Sequence, residues 1–186
     1  MSTITLVTGN AHKLAEFQEI LKDFEFINKA LDVPEIQAAT IEEVAHAKAA
    51  AAFDIVGSPV IVEDCSFGLA HLNGLPGPFI KYFEEVFPKE AGLRLLGDAP
   101  NRTAVARACI AYRDASMAFE VVGEVRGTVS DHVHDGTGFG FDFYFIPDGH
   151  TQTYSEMGLE KKSTLSHRHA AVYAFKKGYA VRVKGV

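Results

Sequence analysis

The sequence predicts one α/β domain built on a mixed β-sheet, and three features carry that reading. Between Ile4 and Val62, strand-like runs alternate with helical periods. The middle of the chain holds long β patterns separated by turn residues, as in antiparallel meanders. Helical spacing returns in the tail, so strands and helices share one layered architecture. At 186 residues the chain suits a single domain, residues 1–186, with no repeat, low-complexity tract or composition shift to mark a boundary. A chain of this size buries roughly 70% of the surface its unfolded form exposes.

Ile4–Thr8 is a β-branched run that reads as a strand. Lys13–Leu21 places Leu14, Phe17, Ile20 and Leu21 at helical spacing. Phe24–Asn28 reads as a second strand, and Leu31–Ala39, which contains Pro34, as a loop. Thr40–Phe53 is an alanine-rich helix with Thr40 as N-cap and Glu43 completing a capping box, and it is expected to end at Gly57. Val60–Val62 is a buried strand that ends in Glu63-Asp64. The Gly/Pro-rich stretch LNGLPGPF then leads into amphipathic Ile80–Phe87. Thr103–Arg113, Phe119–Val129 and Phe141–Ile146 carry the β-rich patterns, and His167–Lys177 the final helical period.

Composition removes several functional classes. With 47% hydrophobic residues, 23% charged residues and no apolar run long enough to span a bilayer, no membrane role is expected. The formal net charge of −6 and the lack of a lysine or arginine cluster argue against nucleic acid as a partner. MSTITLV does not resemble a signal peptide, and the two cysteines, Cys65 and Cys109, make no disulfide framework. A reducing compartment, cytoplasm or nucleus, is expected. Among the histidines, His12, His46, His71, His132, His134, His150 and His169 show no paired ligand spacing, so no zinc site is expected, and His132 and His134 read as turn decoration.

Five segments could carry chemistry. In TLVTGNAHKL a strand ends in Thr8-Gly9-Asn10 and feeds a helix, which offers backbone N–H groups and a dipole to an anion within reach of Lys13. A turn glycine and a solvated lysine would look the same. Glu63 and Asp64 are adjacent on a strand and must face opposite ways unless the strand is ending there. Asp64 is a candidate magnesium ligand or base, and Glu35 could supply a second carboxylate; both acids of the pair could also merely cap a turn. NGLPGPFIKYF fixes an unusual backbone path before Lys81. GFGFDFYF sets glycines beside aromatic rings, which suits either a flat ligand or an aromatic core. In EKKSTLSHRHA, Ser166, His167 and Arg168 open a helix whose first turn would ordinarily prefer acids, although Ser166 could be only an N-cap.

Taken in this order, the segments resemble the inosine triphosphate pyrophosphatase family, the Ham1-like enzymes that clear non-standard purine nucleotides. TGNAHKLAEF is similar to the family's T-x-N-x-x-K-x-x-E signature, VED with LNGLPGPFIK to its acidic strand and glycine-rich loop, and FGFD with EKKSTLSHR to its base-recognition segments. The likeness runs from Thr8 to Arg168, and LPGPFIK and QTYSEM lean toward the eukaryotic branch. It implies a single nucleotide pyrophosphohydrolase domain with an elongated mixed sheet, flanking helices and two lobes around a central cleft, forming a homodimer. It further implies hydrolysis of inosine, deoxyinosine and xanthosine triphosphates to monophosphate and pyrophosphate, with Mg2+ as cofactor and Mn2+ as a possible substitute.

By the same resemblance, Thr8, Gly9, Asn10 and Lys13 would hold the triphosphate, with Lys48, Lys81 and Lys162 as further contacts. Glu35 and Asp64 would hold the metal. Asp64, Lys13 and Glu63 would form the catalytic group. Phe139, Gly140, Phe141 and Asp142 would line the base and sugar pocket, His167 with Arg168 would read the purine edge, and Ser166 beside them would contact the substrate. Two departures bear on the pocket: Phe141-Asp142-Phe143 replaces an aromatic-Asp-Pro, and EDCSFGL replaces a compact DSGL. A hydrolase indifferent to the base and a nucleotide-binding regulatory module without turnover are the competing readings. Two well-placed acids disfavour the second, since a binder needs no activated water beside the phosphates.

Overall fold

The computed structural model describes residues 3–22 and 24–184. Seven strands form one sheet in the order β2-β1-β3-β5-β6-β7, with β4 paired to β3. β1 (Ile4–Val7) lies parallel to both β2 (Phe26–Lys29) and β3 (Val60–Leu69). β3, β5 (Thr103–Arg113), β6 (Ala118–Val129) and β7 (Phe145–Pro147) pair antiparallel. The sheet is therefore mixed, as expected, and its outermost strands, β2 and β7, are short, with four and three residues; β4 (Pro76–Gly77) has two.

Two faces alternate along β3 with the period of a pleated strand. Val60 and Val62 pack with Ile41, Ala45, Ala49 and Ala52 of α2 (Ile41–Val56). Ile61 points the other way, into the cluster formed with Phe17 of α1 (Ala11–Ile20) and Ala171, Val172 and Phe175 of α6 (His167–Tyr179). A third cluster gathers Phe67, Phe141, Tyr144, Phe145 and Tyr154 around the far ends of β3 and β5. Between this cluster and the other two lies the cleft.

The helix starts follow local chemistry. Asn10 caps α1, its Oδ1 accepting from the N–H groups of His12 and Lys13 at 3.0 and 3.1 Å. The helix thus begins two residues before Lys13. Thr40 caps α2 by accepting from Glu43 N at 3.3 Å, but its hydroxyl donates to the Glu43 carboxylate at 2.7 Å, so the expected reciprocal box is not closed through the backbone. Gly57 ends that helix in the left-handed conformation. α3 (Ile80–Val86) and α4 (Ala91–Leu96) are short, and a π-helical turn, Ala180–Lys184, follows α6.

Three expectations are corrected. The second strand starts at Phe26, not Phe24. The strand through Glu63-Asp64 does not end there: it pairs with β5 from Val60 to Leu69, so both acids sit mid-strand. Phe141–Ile146 is not a continuous strand; Gly140–Phe143 forms a 3-10 turn and only Phe145–Pro147 pairs in the sheet. Gly140 at φ 56 cannot continue a strand, and the Asp142 carboxylate accepts from Phe139 N at 3.0 Å, closing the turn locally. α5 (Tyr154–Lys162) was not anticipated, because Gly158 at φ 71 interrupts its helical period.

Candidate nucleotide-binding cleft

A cavity of about 400 Å3 opens where β1 ends and α1 begins. This is the carboxyl end of a parallel strand, where open α/β sheets commonly place ligands. Thr8, Gly9, Asn10 and Lys13 line one wall together with Glu35 and Lys48; Lys81, Glu84 and residues 139–142 line the opposite wall; Lys162, His167 and Arg168 close the inner end. Among the expected residues only Ser166 is absent from the lining. It is fully buried and caps α6, accepting from His169 N at 3.1 Å.

Since Glu63 and Asp64 are neighbours on an unbroken strand, they face opposite sides of the sheet and join different charge clusters. Asp64 follows the α2 side: Lys48 Nζ lies 3.0 Å from its Oδ1 and 2.9 Å from Glu35 Oε2, and Lys81 pairs with the other Glu35 oxygen. Asp64 Oδ2 is buried with no hydrogen-bond partner. Glu63 follows the α1 and α6 side. Its carboxylate lies 2.7 Å from Lys13 Nζ and accepts from Arg168 at 2.9 and 3.1 Å.

Beyond Glu63 the charges continue as an alternating chain. Arg168 also pairs with Glu16, and Lys162 Nζ lies 2.6 Å from both Glu16 and Asp142. Three cations thus meet three carboxylates within the buried end of the cleft. Such burial is tolerable only because each charge is paired. Burial pushes the Glu16 carboxyl up, but Arg168 and Lys162 outweigh it and hold the group at about 2. Glu63 is likewise held well below the ordinary carboxylate range, burial being overridden by Arg168 and Lys13. For Lys13, burial opposes the charge and Glu63 restores it, so the amine stays protonated.

His167 is neutral, because burial and the adjacent Arg168 and Lys162 charges pull its pKa well below 6.5; its Nδ1 is buried without a partner. Arg168 is 0% exposed, and its donors go to Glu16, Glu63 and Cys65 Sγ. Its guanidinium is turned into the protein rather than presented as a free edge. Phe139, by contrast, offers a ring stacked on His12 at 5.1 Å with Lys162 Nζ 5.0 Å above it.

Three groups at or behind the wall were not singled out as site residues from the sequence. Glu16 is the closing acid of the TGNAHKLAEF segment, a signal that was present. Cys65 is half-buried at the cavity wall, where its Sγ lies 2.8 Å from Glu63 Oε1. Burial and Glu63 push that thiol up to about 12, which keeps it protonated and inert as a nucleophile. Glu84 sits against Gly140, its Oε1 buried and unpaired, and burial together with Asp142 raises its carboxyl to about 7. Only the folded arrangement of α3 against the 3-10 turn makes Glu84 visible.

Comparison with known proteins gives the arrangement a place. The model of the Ham1 family matches residues 4–178. The chain belongs to the Ham1 family. A dITP/XTP pyrophosphatase of Methanopyrus kandleri is 35% identical over 98% of this chain and 98% of its own length. Inosine triphosphate pyrophosphatase 2 of Trypanosoma cruzi is 39% identical over 93% of this chain and 90% of its own. Among solved structures, a HAM1 protein from Coxiella burnetii superposes with a TM-score of 0.82 at 28% identity, covering 96% of this chain and 98% of that one. The mixed α/β fold is thus a Ham1 fold, and the cleft spans the segments through which the family likeness runs.

Proposed function

We propose that this Ham1-family chain hydrolyses non-standard purine nucleoside triphosphates, such as inosine, deoxyinosine and xanthosine triphosphate, to the monophosphate and pyrophosphate. The observation that carries the reading is the charge layout of the cleft. Lys81 is 45% exposed in the outer part of the cleft, Lys48 and Lys13 keep 17% and 16% of their side chains exposed along it, and Lys162 and Arg168 are almost fully buried behind Phe139. A triphosphate needs several cations to offset about four negative charges, and Lys13, Lys48 and Lys81 line the cleft to supply them. A purine would then reach inward to the Phe139 ring, with Thr8, Gly9 and Asn10 beside the phosphates.

Glu35 and Asp64 suit a hard divalent cation. Both offer carboxylate oxygens, both already hold a cation in the Lys48 ammonium, and Asp64 keeps one buried oxygen unpaired. Mg2+, or Mn2+ in its stead, would add charge neutralisation at the phosphates. The chain's own part is to hold the substrate and to manage the proton. Water forms a bond to the α-phosphorus as the bond to the bridging oxygen breaks; pyrophosphate leaves, and the water proton passes to the Asp64 carboxylate. Glu63 acts through Lys13, which it keeps charged and positioned.

Base choice rests on donors. A 6-keto purine offers an acceptor at O6 where adenine offers an amino donor, so a wall of donors welcomes the first and leaves the second unpaired. With Arg168 engaged by carboxylates, the groups that fit this role are the His167 imidazole and the backbone of 139–142. We further propose a homodimer, favoured by Tyr82 and Val86, which are 40% and 67% exposed one turn apart on α3. A cytoplasmic setting is favoured by two free cysteines; among the described residues no helix is long and apolar enough to cross a membrane. Incubation with inosine triphosphate and Mg2+ followed by product identification tests the reading. Monophosphate with pyrophosphate is expected, with ATP turned over far more slowly. Diphosphate with orthophosphate, or equal turnover of ATP, would overturn it.

A further inference from the structure

Outside the cleft, the segment after β6 carries the sequence Asp131-His132-Val133-His134. Spacing alone marked these histidines as turn decoration, but the fold brings the side chains together. The rings of His132 and His134 stack with centroids 4.4 Å apart and planes 19° from parallel. One ligand atom from each of Asp131, His132 and His134 lies within 4.8 Å of the other two. The Asp131 carboxylate joins them, its Oδ1 2.5 Å from His132 Nδ1, so imidazole nitrogens and an anionic oxygen gather in one place.

We propose that Asp131, His132 and His134 form a second metal site that takes a borderline divalent transition ion of the Zn2+, Co2+ or Ni2+ class, separate from the nucleotide cleft. Imidazole nitrogens with one carboxylate select such ions over Mg2+, which prefers oxygen alone. With bonds of about 2.0–2.2 Å, atoms ligating one ion stand roughly 3–3.5 Å apart, so the stacked rings must turn and draw in for their nitrogens to face the same ion. Three protein ligands on an exposed segment leave a position open to water.

The backbone beneath the ligands is held in place rather than loose. Ser130 N donates to Tyr144 O at 2.8 Å, Ser130 Oγ to His132 O at 2.6 Å, and His134 N to Phe143 O at 2.8 Å. Glu156 supplies an outer partner: its Oε1 lies 3.1 Å from His134 Nδ1, fixing that ring so that Nε2 is the ligating nitrogen. The Thr153 capping box anchors Glu156 in turn. Thr137 N then donates to Ser155 O at 3.0 Å, and the segment continues into Phe139. An ion at this site would therefore clamp the strand of chain that ends on the base-stacking ring.

Calorimetric titration of the full chain with Zn2+ in excess Mg2+ tests the site, and Co2+ gives an independent spectroscopic signal in its visible d–d bands. One equivalent is expected to bind, with His132→Ala and His134→Ala each weakening binding by at least ~10-fold. Glu156→Gln keeps the capping box and is expected to weaken binding by about 10-fold through loss of the outer partner alone. Hydrolysis in Mg2+ with the transition ion removed should be unchanged in His132→Ala. Zn2+ binding that Mg2+ displaces, or Co2+ bands that persist in the double variant His132→Ala/His134→Ala, would overturn the site. So would a titration with no heat above that double variant. None of these outcomes depends on which nucleotide the cleft takes.

Discussion

Removing Arg168 would leave the Glu16 and Glu63 carboxylates facing each other without their shared cation, in a region closed to water. Arg168→Ala is therefore expected to cost about 3–5 kcal/mol of stability, visible as a large fall in Tm along with lost turnover. A variant that lost base preference at unchanged Tm would return the purine-reading role to this side chain. Asp64→Asn differs, since its partner Lys48 keeps Glu35. Turnover should fall by at least ~100-fold while circular dichroism stays native. Near-normal rates would move the proton-accepting role to Glu35. Glu84 titrates with the opposite sign from the paired acids. It ionises near 4.5 when unfolded and at about 7 in the fold, so its stabilising contribution is complete below 4.5 and lost as pH rises through 7. Glu84→Gln should accordingly gain thermal stability relative to the parent at pH 8 but not at pH 4; equal shifts at both would show that Glu84 is solvated.

Among the elements, β6 and α6 meet with no room to spare. A Cβ on Gly123 would lie 2.1 Å from Ala171 N and 2.2 Å from His167 O, both backbone atoms. Gly123→Ala must push away the first turn of α6, which carries His167 and Arg168, and is expected to lose stability and activity together; full activity at native Tm would contradict the close approach. The α2 start and the buried start of β3 were legible because caps and apolar β-branched runs are short-range chemistry, spelled by Thr40, Val60, Ile61 and Val62, whereas the continuation of β3 through Glu63-Asp64 depends on its pairing with β5. The 3-10 turn at Gly140 was not, since glycines alternating with aromatic rings imitate a strand until the Asp142 turn bond is seen. α5 was hidden by Gly158, although Thr153 and Glu156 spell its capping box. The same distinction divides the site. Asn10 and Lys13 announce themselves locally, whereas the chain from Lys162 through Glu16 to Arg168 joins residues far apart in sequence, and no spacing rule reports such pairs.

At the scale of the molecule, the cleft separates the aromatic cluster around Phe67 from the two clusters that flank β1 and β3. A nucleotide seated there touches both sides, and binding to the folded state alone stabilises it by about 2.7 kcal/mol at 100 times Kd. A non-hydrolysable inosine triphosphate analogue with Mg2+ should therefore raise Tm in a concentration-dependent way, and more than the corresponding ATP analogue; equal shifts would argue against discrimination at the binding step. The margins of the sheet have their own consequence for how copies of this chain can meet. β2 offers four residues ending in Lys29, and β7 offers three ending in Pro147, which has no N–H to donate. Neither of these short strands is a ready template for another chain, but β7 covers only Gly127–Val129 of β6, so Ala118–Arg126 pairs with β5 alone and relies on the charges of Glu120, Glu124 and Arg126 to discourage strand addition. Strand addition between copies is thus opposed by shortness and proline at β2 and β7 and by charge along β6, which favours contacts of helix and loop.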